Sequence, residues 1–294
     1  MSTDPWTIGR LLTWTTGFLK DHGSESPRLE AEVLLAHALG CERIMLYARF
    51  GEEPNEAARA AYRTLVKERS AGKPVAYLTG GREFYSLDFA VSPDVLIPRP
   101  ETEFLVIGLL DAAKTQRPAA GEALQIADVG TGSGILAVCA ALKIPTAQVT
   151  AVDVSPAALK IAAQNAATHH VAERIEFVES DLFARVPAAR KFDFIVSNPP
   201  YVTTAEMAEL DRDVRDFEPH LALEAGPRGT EVIERLIPQA AERLVAGGQL
   251  FIELSPQIHD AVQQLLQADG RFDPLPTIDD QGRRPRIVRA RRRA

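Results

Sequence analysis

Three glycines at alternate positions constrain this chain more than any other feature. They lie in Asp128-Val-Gly-Thr-Gly-Ser-Gly134, between a short apolar run, Leu124-Gln-Ile-Ala-Asp-Val129, and an almost unbroken apolar stretch, Ile135-Leu-Ala-Val-Cys-Ala-Ala-Leu142. The first run reads as a strand and the second as a buried helix, so the segment predicts strand, glycine turn and helix. From residue 104 onward such strands alternate with helical patterns, which is the signature of an α/β fold with a doubly wound, Rossmann-like parallel sheet. In sheets of this kind ligands sit in the crevice outside the C-terminal strand ends, where the glycine turn would lie. A nicotinamide dinucleotide fingerprint wants a third glycine three positions after the second, and Ile135 stands there.

A later strand pattern, Phe192-Asp-Phe-Ile-Val-Ser197, runs directly into Asn198-Pro199-Pro200-Tyr201. On composition alone this tetrapeptide is a rigid turn. At a strand end downstream of the glycine turn, it presents a carboxamide oxygen, a proline-bounded carbonyl and an aromatic face to the crevice. That set suits methyl transfer to a planar nitrogen. The lone pair of an amide or exocyclic amino nitrogen is delocalised, so a site must hold its hydrogens with acceptors and aim what remains. Asn198 and the Pro199 carbonyl are the candidate acceptors, Pro200 stiffens the turn, and Tyr201 is expected to stack on the target and face a sulfonium. No acid or base is required, because positioning supplies most of the acceleration.

S-adenosylmethionine is the methyl donor that the acids at successive strand ends would suit. Asp128 is placed to neutralise the donor's ammonium, beside the backbone of Gly130, Thr131, Gly132, Ser133 and Gly134. Asp153 ends Val149-Thr-Ala-Val-Asp-Val154, in position to accept the ribose hydroxyls. Asp181 and Leu182 follow Ile175-Glu-Phe-Val178, offering an acceptor for the adenine amino group and an apolar wall. Each acid taken singly also reads as a helix cap or a strand-end charge. Asn198, between donor and target, counts as a contact to both.

The chain has 294 residues, of which 46% are apolar, enough to bury a substantial core. Its net charge of −7 argues against a protein that gains affinity by neutralising phosphates, so no direct DNA binding is expected. Two cysteines, Cys41 and Cys139, show no metal-ligand spacing and read as inert buried thiols; no metal site is expected. With no membrane-length apolar run and no basic-then-apolar leader, a cytoplasmic monomer is expected.

Residues 1–80 read as a small helical domain. Trp6, Ile8, Leu11, Leu12, Trp14 and Phe18, then Leu29, Val33, Leu34, Ala38 and Leu39, recur near helical spacing and are expected in its core; Ala57 to Ala71 adds a further helix. Residues 81–103 are expected to form a β-hairpin linker, prepared by Val75 to Gly81 and alternating through Glu83 to Val91. Pro98-Arg-Pro-Glu-Thr-Glu103 then starts a helix, with the Thr as a plausible cap. Residues 104–294 form the larger domain, with a helix near Thr230 to Val245, a strand from Gln249 to Leu254 and closing strands near Phe272–Ile278 and Pro285–Ala290. His169-His170 reads as surface, and the basic run Arg289-Ala-Arg-Arg-Arg-Ala294 as a solvated end.

Taken together, several stretches resemble the protein-(glutamine-N5) methyltransferases that modify peptide-chain release factors, the PrmC or HemK family. They are Pro74-Val-Ala-Tyr-Leu-Thr-Gly80, Glu83-Phe84, Val95-Leu-Ile-Pro-Arg-Pro-Glu-Thr-Glu103, the glycine turn, Ser180-Asp-Leu-Phe183, Ile195-Val-Ser-Asn-Pro-Pro-Tyr201 and Phe217-Glu-Pro219. Asn-Pro-Pro-Tyr is shared with DNA adenine and other amino-methylating enzymes and names only the chemistry, whereas Ile-Pro-Arg-Pro-Glu-Thr-Glu is selective. The resemblance implies a helical domain that docks the release factor, a hairpin and an S-adenosylmethionine-dependent domain. The implied substrate is the Gly-Gly-Gln glutamine of class 1 release factors. It also implies that Gly130 to Gly134, Asp153, Asp181 and Leu182 hold the donor, that Asn198 to Tyr201 hold the amide, and that Arg99 and Glu101 shape the mouth. The chain departs from the family pattern at Leu182, at Glu224-Ala-Gly-Pro-Arg-Gly229 and at Glu253-Leu-Ser-Pro256. A ribosomal-protein glutamine methyltransferase and a nucleic-acid adenine-N6 methyltransferase are the alternatives.

Overall fold

The computed structural model describes residues 5–116 and 123–294. Contacts divide the chain in two: residues up to Gly80 with Asp211–Phe217, and Gly81–Leu210 with Glu218–Ala294.

In the first unit, α1 (Ile8–Asp21), α2 (Pro27–Leu39), α3 (Met45–Ala48), α4 (Glu56–Ser70) and α5 (Val75–Thr79) follow one another. Thr7 and Asn55 cap α1 and α4, each side-chain oxygen accepting from a backbone N–H in the first turn. The core takes Ile8, Leu11, Leu12 and Leu19 from α1, Leu34 and Leu35 from α2, and Tyr62 and Val66 from α4. Trp6, Trp14 and Leu29 depart from the expected core and are exposed. Trp14, Phe18 and His22 are spaced four apart, so the Trp14 and Phe18 rings stack and His22, just past the end of α1, meets Phe18 at a tilt, along a separate face. The segment Val75–Thr79 is a helix rather than the start of a hairpin; Pro74 begins it and Gly80, in the left-handed region, ends it.

In the second unit β1 (Gly81–Phe84) and β2 (Leu87–Ala90) pair through Tyr85-Ser86, both at positive φ, as a tight two-residue hairpin requires. There follow α6 (Thr102–Thr115), β3 (Leu124–Val129), α7 (Ile135–Lys143), β4 (Ala147–Asp153), α8 (Pro156–Thr168), β5 (Ile175–Glu179), β6 (Phe192–Ser197) and β7 (Val202–Thr203). After α9 (Arg212–Phe217), which belongs to the first unit, come β8 (Glu224–Gly226), α10 (Glu231–Arg243), β9 (Leu244–Glu253), α11 (His259–Asp269), β10 (Phe272–Asp279) and β11 (Pro285–Arg292).

Seven strands form one sheet in the order β10-β11-β9-β6-β3-β4-β5. From β9 to β5 all neighbours are parallel, and β11 joins β9 and β10 antiparallel. One face packs against α6 and α7 around Leu105, Leu109, Val138, Phe194 and Phe251; the other packs against α10 and α11 around Ile195, Leu236, Ile237, Ile252 and Val262. Burial on both faces explains why these strands read as continuous apolar runs. Helix α10 stops at Arg243 and β9 begins at Leu244, five residues earlier than the sequence suggested, because a register shift absorbs Gly247-Gly248 within the strand.

The basic C-terminal run is not a loose solvated end. It continues β11 between β10 and β9: Ala290 is buried, the Arg289 guanidinium lies over the Phe251 ring, and Arg292 donates to the Ala241 carbonyl. Arginine stems cover apolar surface there while their heads reach acceptors. Cys41 is half-buried and Cys139 fully buried, its thiol pushed up to about 12 by burial. Among the described residues no helix is long and apolar enough to cross a membrane.

Candidate active site

The chain order of the strands reverses at β3, whose neighbours are β4 on one side and β6 on the other. That is the switch point at which an open α/β sheet leaves a crevice. A cleft of about 370 Å³ opens there, at the carboxyl ends of β3, β4 and β6.

The glycine turn forms its floor. Gly130, Gly132 and Gly134 all have positive φ, which side chains rarely tolerate. Gly134 has a second reason: a Cβ added there would sit 2.9 Å from the Ala162 Cβ, so α7 approaches α8 only over a glycine. The turn is tied to β4 by N–H groups of Gly130 and Thr131 donating to the Val152 carbonyl at 2.8 and 2.9 Å. Asp153 completes the tie. One of its oxygens accepts from Gly132 N–H at 2.8 Å and the other from Ser155 N–H at 2.9 Å. Burial pushes this carboxyl up, while the N–H groups of Ser155, Gly132 and Val154 oppose the rise.

Asp128 stands behind the turn and does not line the cleft. Its Oδ2 accepts from the Thr131 hydroxyl at 2.6 Å and from Ala137 N–H at 3.0 Å, so it braces the loop and the start of α7. Its Oδ1 is buried without a hydrogen-bond partner among the described residues. Burial pushes the carboxyl up to about 7.

Asn198 follows β6, directly beside the turn. Ser197 donates through its hydroxyl to the Val129 carbonyl at 2.7 Å, and a Cβ on Gly130 would lie 3.9 Å from the Asn198 backbone carbonyl oxygen. The Asn198 carboxamide donates through Nδ2 to Thr102 Oγ1 at 3.2 Å. Its NH2 is thereby turned into the protein. Thr102 was expected as a helix cap; it is instead the first residue of α6, after Glu101, and its buried hydroxyl serves Asn198.

Pro199 and Pro200 line the cleft beside Asn198; Tyr201 does not, and its half-buried ring packs against the α10 side of the core. Burial raises its phenol well above the ordinary range. Arg99 lines the mouth and donates to Glu218 Oε1 at 2.5 Å, while Glu218 Oε2 accepts from Ile97 N–H at 3.1 Å. The selective run around Arg99 and the Phe217-Glu-Pro219 stretch are joined by this buried acid. Glu101 lies off the wall, 4.0 Å from the Arg286 guanidinium.

Asp181 and Leu182 form the far wall. Asp181 is exposed and ion-paired with Arg235; Leu182 is buried with φ near 49°, a strained backbone for a branched residue. Of the residues singled out from the sequence, the cleft thus gathers Arg99, Gly130, Thr131, Gly132, Ser133, Asp153, Asp181, Leu182, Asn198, Pro199 and Pro200, and leaves Glu101, Asp128, Gly134 and Tyr201 outside its lining.

Sequence reasoning missed four polar residues: Thr102, Glu218, Arg235 and Glu253. Glu253 carried a signal, being an acid within the otherwise apolar Leu250-Phe-Ile-Glu-Leu254. It is buried at the end of β9, neither oxygen has a hydrogen-bond partner among the described residues, and burial pushes its carboxyl up to about 7.

Two family models match the chain: the PrmC N-terminal domain over residues 10–80, and the methyltransferase small domain over residues 108–213. A protein of Rhodopirellula baltica named release factor glutamine methyltransferase is 48% identical over 287 residues, 97% of this chain and 96% of its own. A protein of the same name from Koribacter versatilis is 43% identical over 253 residues, 86% of this chain and 88% of its own. Among solved structures, a ribosomal protein L11 methylase from Lactobacillus delbrueckii subsp. bulgaricus superposes with a TM-score of 0.50 at 24% identity, covering 69% of this chain and 84% of that one, a likeness of fold.

Proposed function

Because the chain belongs to the family of release factor glutamine methyltransferases, we propose that it transfers a methyl group from S-adenosylmethionine to the side-chain nitrogen N5 of the glutamine in the Gly-Gly-Gln motif of class 1 peptide-chain release factors. The observation that carries this reading is the seating of Asn198. With Nδ2 held by Thr102, its side-chain oxygen Oδ1 is left as an acceptor, and Asn198 lines the same cleft as the glycine turn.

The residues present fit the methyl donor. Asp128 Oδ1 is a buried acceptor without a partner, suited to a positive charge brought to the turn. Asp153 uses one lone pair on each oxygen and keeps others for ribose hydroxyls. Asp181 beside the apolar Leu182 offers an acceptor at the edge of a flat hydrophobic wall. When bound, the donor supplies a methyl carbon on a cationic sulfur that departs as a neutral thioether.

The chain's own part is to hold the amide. The Asn198 oxygen and the Pro199 carbonyl accept the two N5–H bonds, which aims the nitrogen's π lone pair across the cleft and draws density toward nitrogen. The new N–C bond forms as N5 gives up one proton to water. Pro200 stiffens the corner, Tyr201 backs it from the core side, and Arg99 borders the entrance, with Glu101 set back from the lining beside Arg286. The helical residues 1–80 serve in this reading as a docking domain, residues 81–103 as the linker and 104–294 as the catalytic domain.

The test is transfer of label from methyl-labelled S-adenosylmethionine to a purified class 1 release factor. Labelling is expected with the natural Gly-Gly-Gln sequence and not after replacement of its glutamine. Equal labelling of both would overturn the reading.

A further inference from the structure

The chain has two tryptophans, and neither lies in the core of the helical unit. Trp6 precedes α1 and is 38% exposed; Trp14, on α1, is 52% exposed. Both line a cavity of about 530 Å³ between α1 and α4 within the first unit, floored by the buried Leu11, Tyr62 and Val66. Along α1 the Trp14 and Phe18 rings stack, their centroids 5.0 Å apart. Along α4 the other wall carries Arg59, Arg63 and Lys67, also spaced four apart. An aromatic row and a basic row thus line one trough, each repeating about every 6 Å along its helix.

Large aromatic side chains left in water, grouped in a trough with charged walls, mark a surface that a partner covers. The Arg10 guanidinium lies 4.4 Å over the Trp6 ring and holds it at the start of α1. The far wall is basic in a chain whose net charge is −7. Glu53 and Glu56 pair with Arg59, and Glu56 reaches Arg63 at 3.6 Å between two exposed side chains, a contact that water screens. Lys67 is exposed, and its ammonium has no ion pair among the described residues. A partner that fits brings apolar side chains to the aromatic row and carboxylates, repeating about every 6 Å, to the basic one.

We propose that this trough docks an acidic, apolar-faced segment of the protein substrate that lies outside its Gly-Gly-Gln tripeptide. The inference rests on the methyl-transfer reading above and adds the face and the chemistry by which the substrate is held. The tripeptide is uncharged and brings one side chain to the cleft, too little to select a whole protein. A second hold raises the effective concentration of the glutamine, so it lowers KM and leaves the chemical step alone. Trp14 and Lys67 suit that duty: the indole offers a large, rigid apolar face, and the ammonium steers an acidic partner and sets its register.

Since both tryptophans line the trough, the full chain labelled with fluorotryptophan has two fluorine resonances that report on it, and Trp14→Phe assigns them. Addition of a purified class 1 release factor is expected to shift both, and Lys67→Glu to remove the shift at the same concentrations. Resonances unmoved by the release factor would overturn the inference. So would resonances that move with the chain's own concentration, which would give the trough to a second copy. In turnover, Trp14→Ala and Lys67→Glu should each raise KM for the release factor about tenfold or more, the scale of an interface anchor, with kcat and the donor's Kd unchanged. Both side chains are exposed, so neither change empties the core. An unaltered KM in either variant would equally sink it. If the unaltered chain labels no release factor, the proposed function fails instead, and the fluorine resonances still decide the docking.

Discussion

The two halves of the cleft stand on adjacent parallel strands, and they are held in opposite ways. At the end of β3 the turn is braced from the same and the next strand–helix unit: Asp128 by Thr131 and Ala137, and Gly132 by Asp153, 21 residues on. At the end of β6 the supports come from far along the chain. Thr102 holds Asn198 and Glu218 holds Arg99. The first half presents backbone and needs glycines; the second presents a side chain and needs neighbours that orient it. Each half is backed by one buried carboxylate pushed up to about 7. A backbone cradle suits holding a donor, and an oriented carboxamide suits choosing and aiming a target.

The largest effect should separate those duties. Asn198→Ala is expected to lower turnover about a hundredfold or more, the scale of one aimed hydrogen-bonding group, while calorimetry shows donor affinity nearly intact. If affinity fell in step with rate, the division between the halves would be wrong.

The two carboxylates give the next prediction. Both have folded-state values raised above their ordinary ones, so between about pH 4 and pH 7 the folded chain binds more protons than the unfolded chain. Stability from these groups is therefore greatest below their unfolded values and declines as pH rises toward 7. Between pH 5 and pH 7 each should contribute a decline of about 2 kcal/mol. Asp128→Asn should remove one such slope and Glu253→Gln the other, read by denaturant unfolding at several pH values. Parallel curves for both variants and the unaltered chain would show that neither carboxyl is raised.

The same contrast explains what was legible in the sequence. Gly130, Gly132 and Gly134 announced a turn because positive φ selects glycine one residue at a time, and the alternation of apolar strands with helices announced the sheet. Asn198 was legible through its position after an apolar run. The roles of Thr102 and Glu218 were not, and Glu253 stood out only as an acid in an apolar run, since the place of each depends on strands and helices brought together from far along the chain, which no local pattern states. Trp14 misled for the related reason that helical spacing shows a stripe without showing whether anything covers it. The basic terminal run misled because arginine heads report solvent while β11 buries Ile287, Val288 and Ala290 between them.

Two smaller effects test the β3 half alone. Gly134→Ala places a Cβ at φ near 82° and 2.9 Å from the Ala162 Cβ, so it should lose about 2 kcal/mol of stability in denaturant unfolding. Unchanged stability would mean that α7 can retreat from α8 at no cost.

Asp153→Ala should act more gently, because it removes side-chain acceptors and leaves the turn's N–H bonds to Val152 in place. Without the carboxylate, Gly132 N–H loses its acceptor and the ribose position loses its own. Donor Kd should weaken about tenfold, the scale of a hydrogen bond to a charged group, and kcat at saturating donor should stay close to that of the unaltered chain. That split is the reverse of the one expected for Asn198→Ala. A loss of kcat at unaltered Kd would move Asp153 to the side of the target, and the cleft would no longer divide between its two strands.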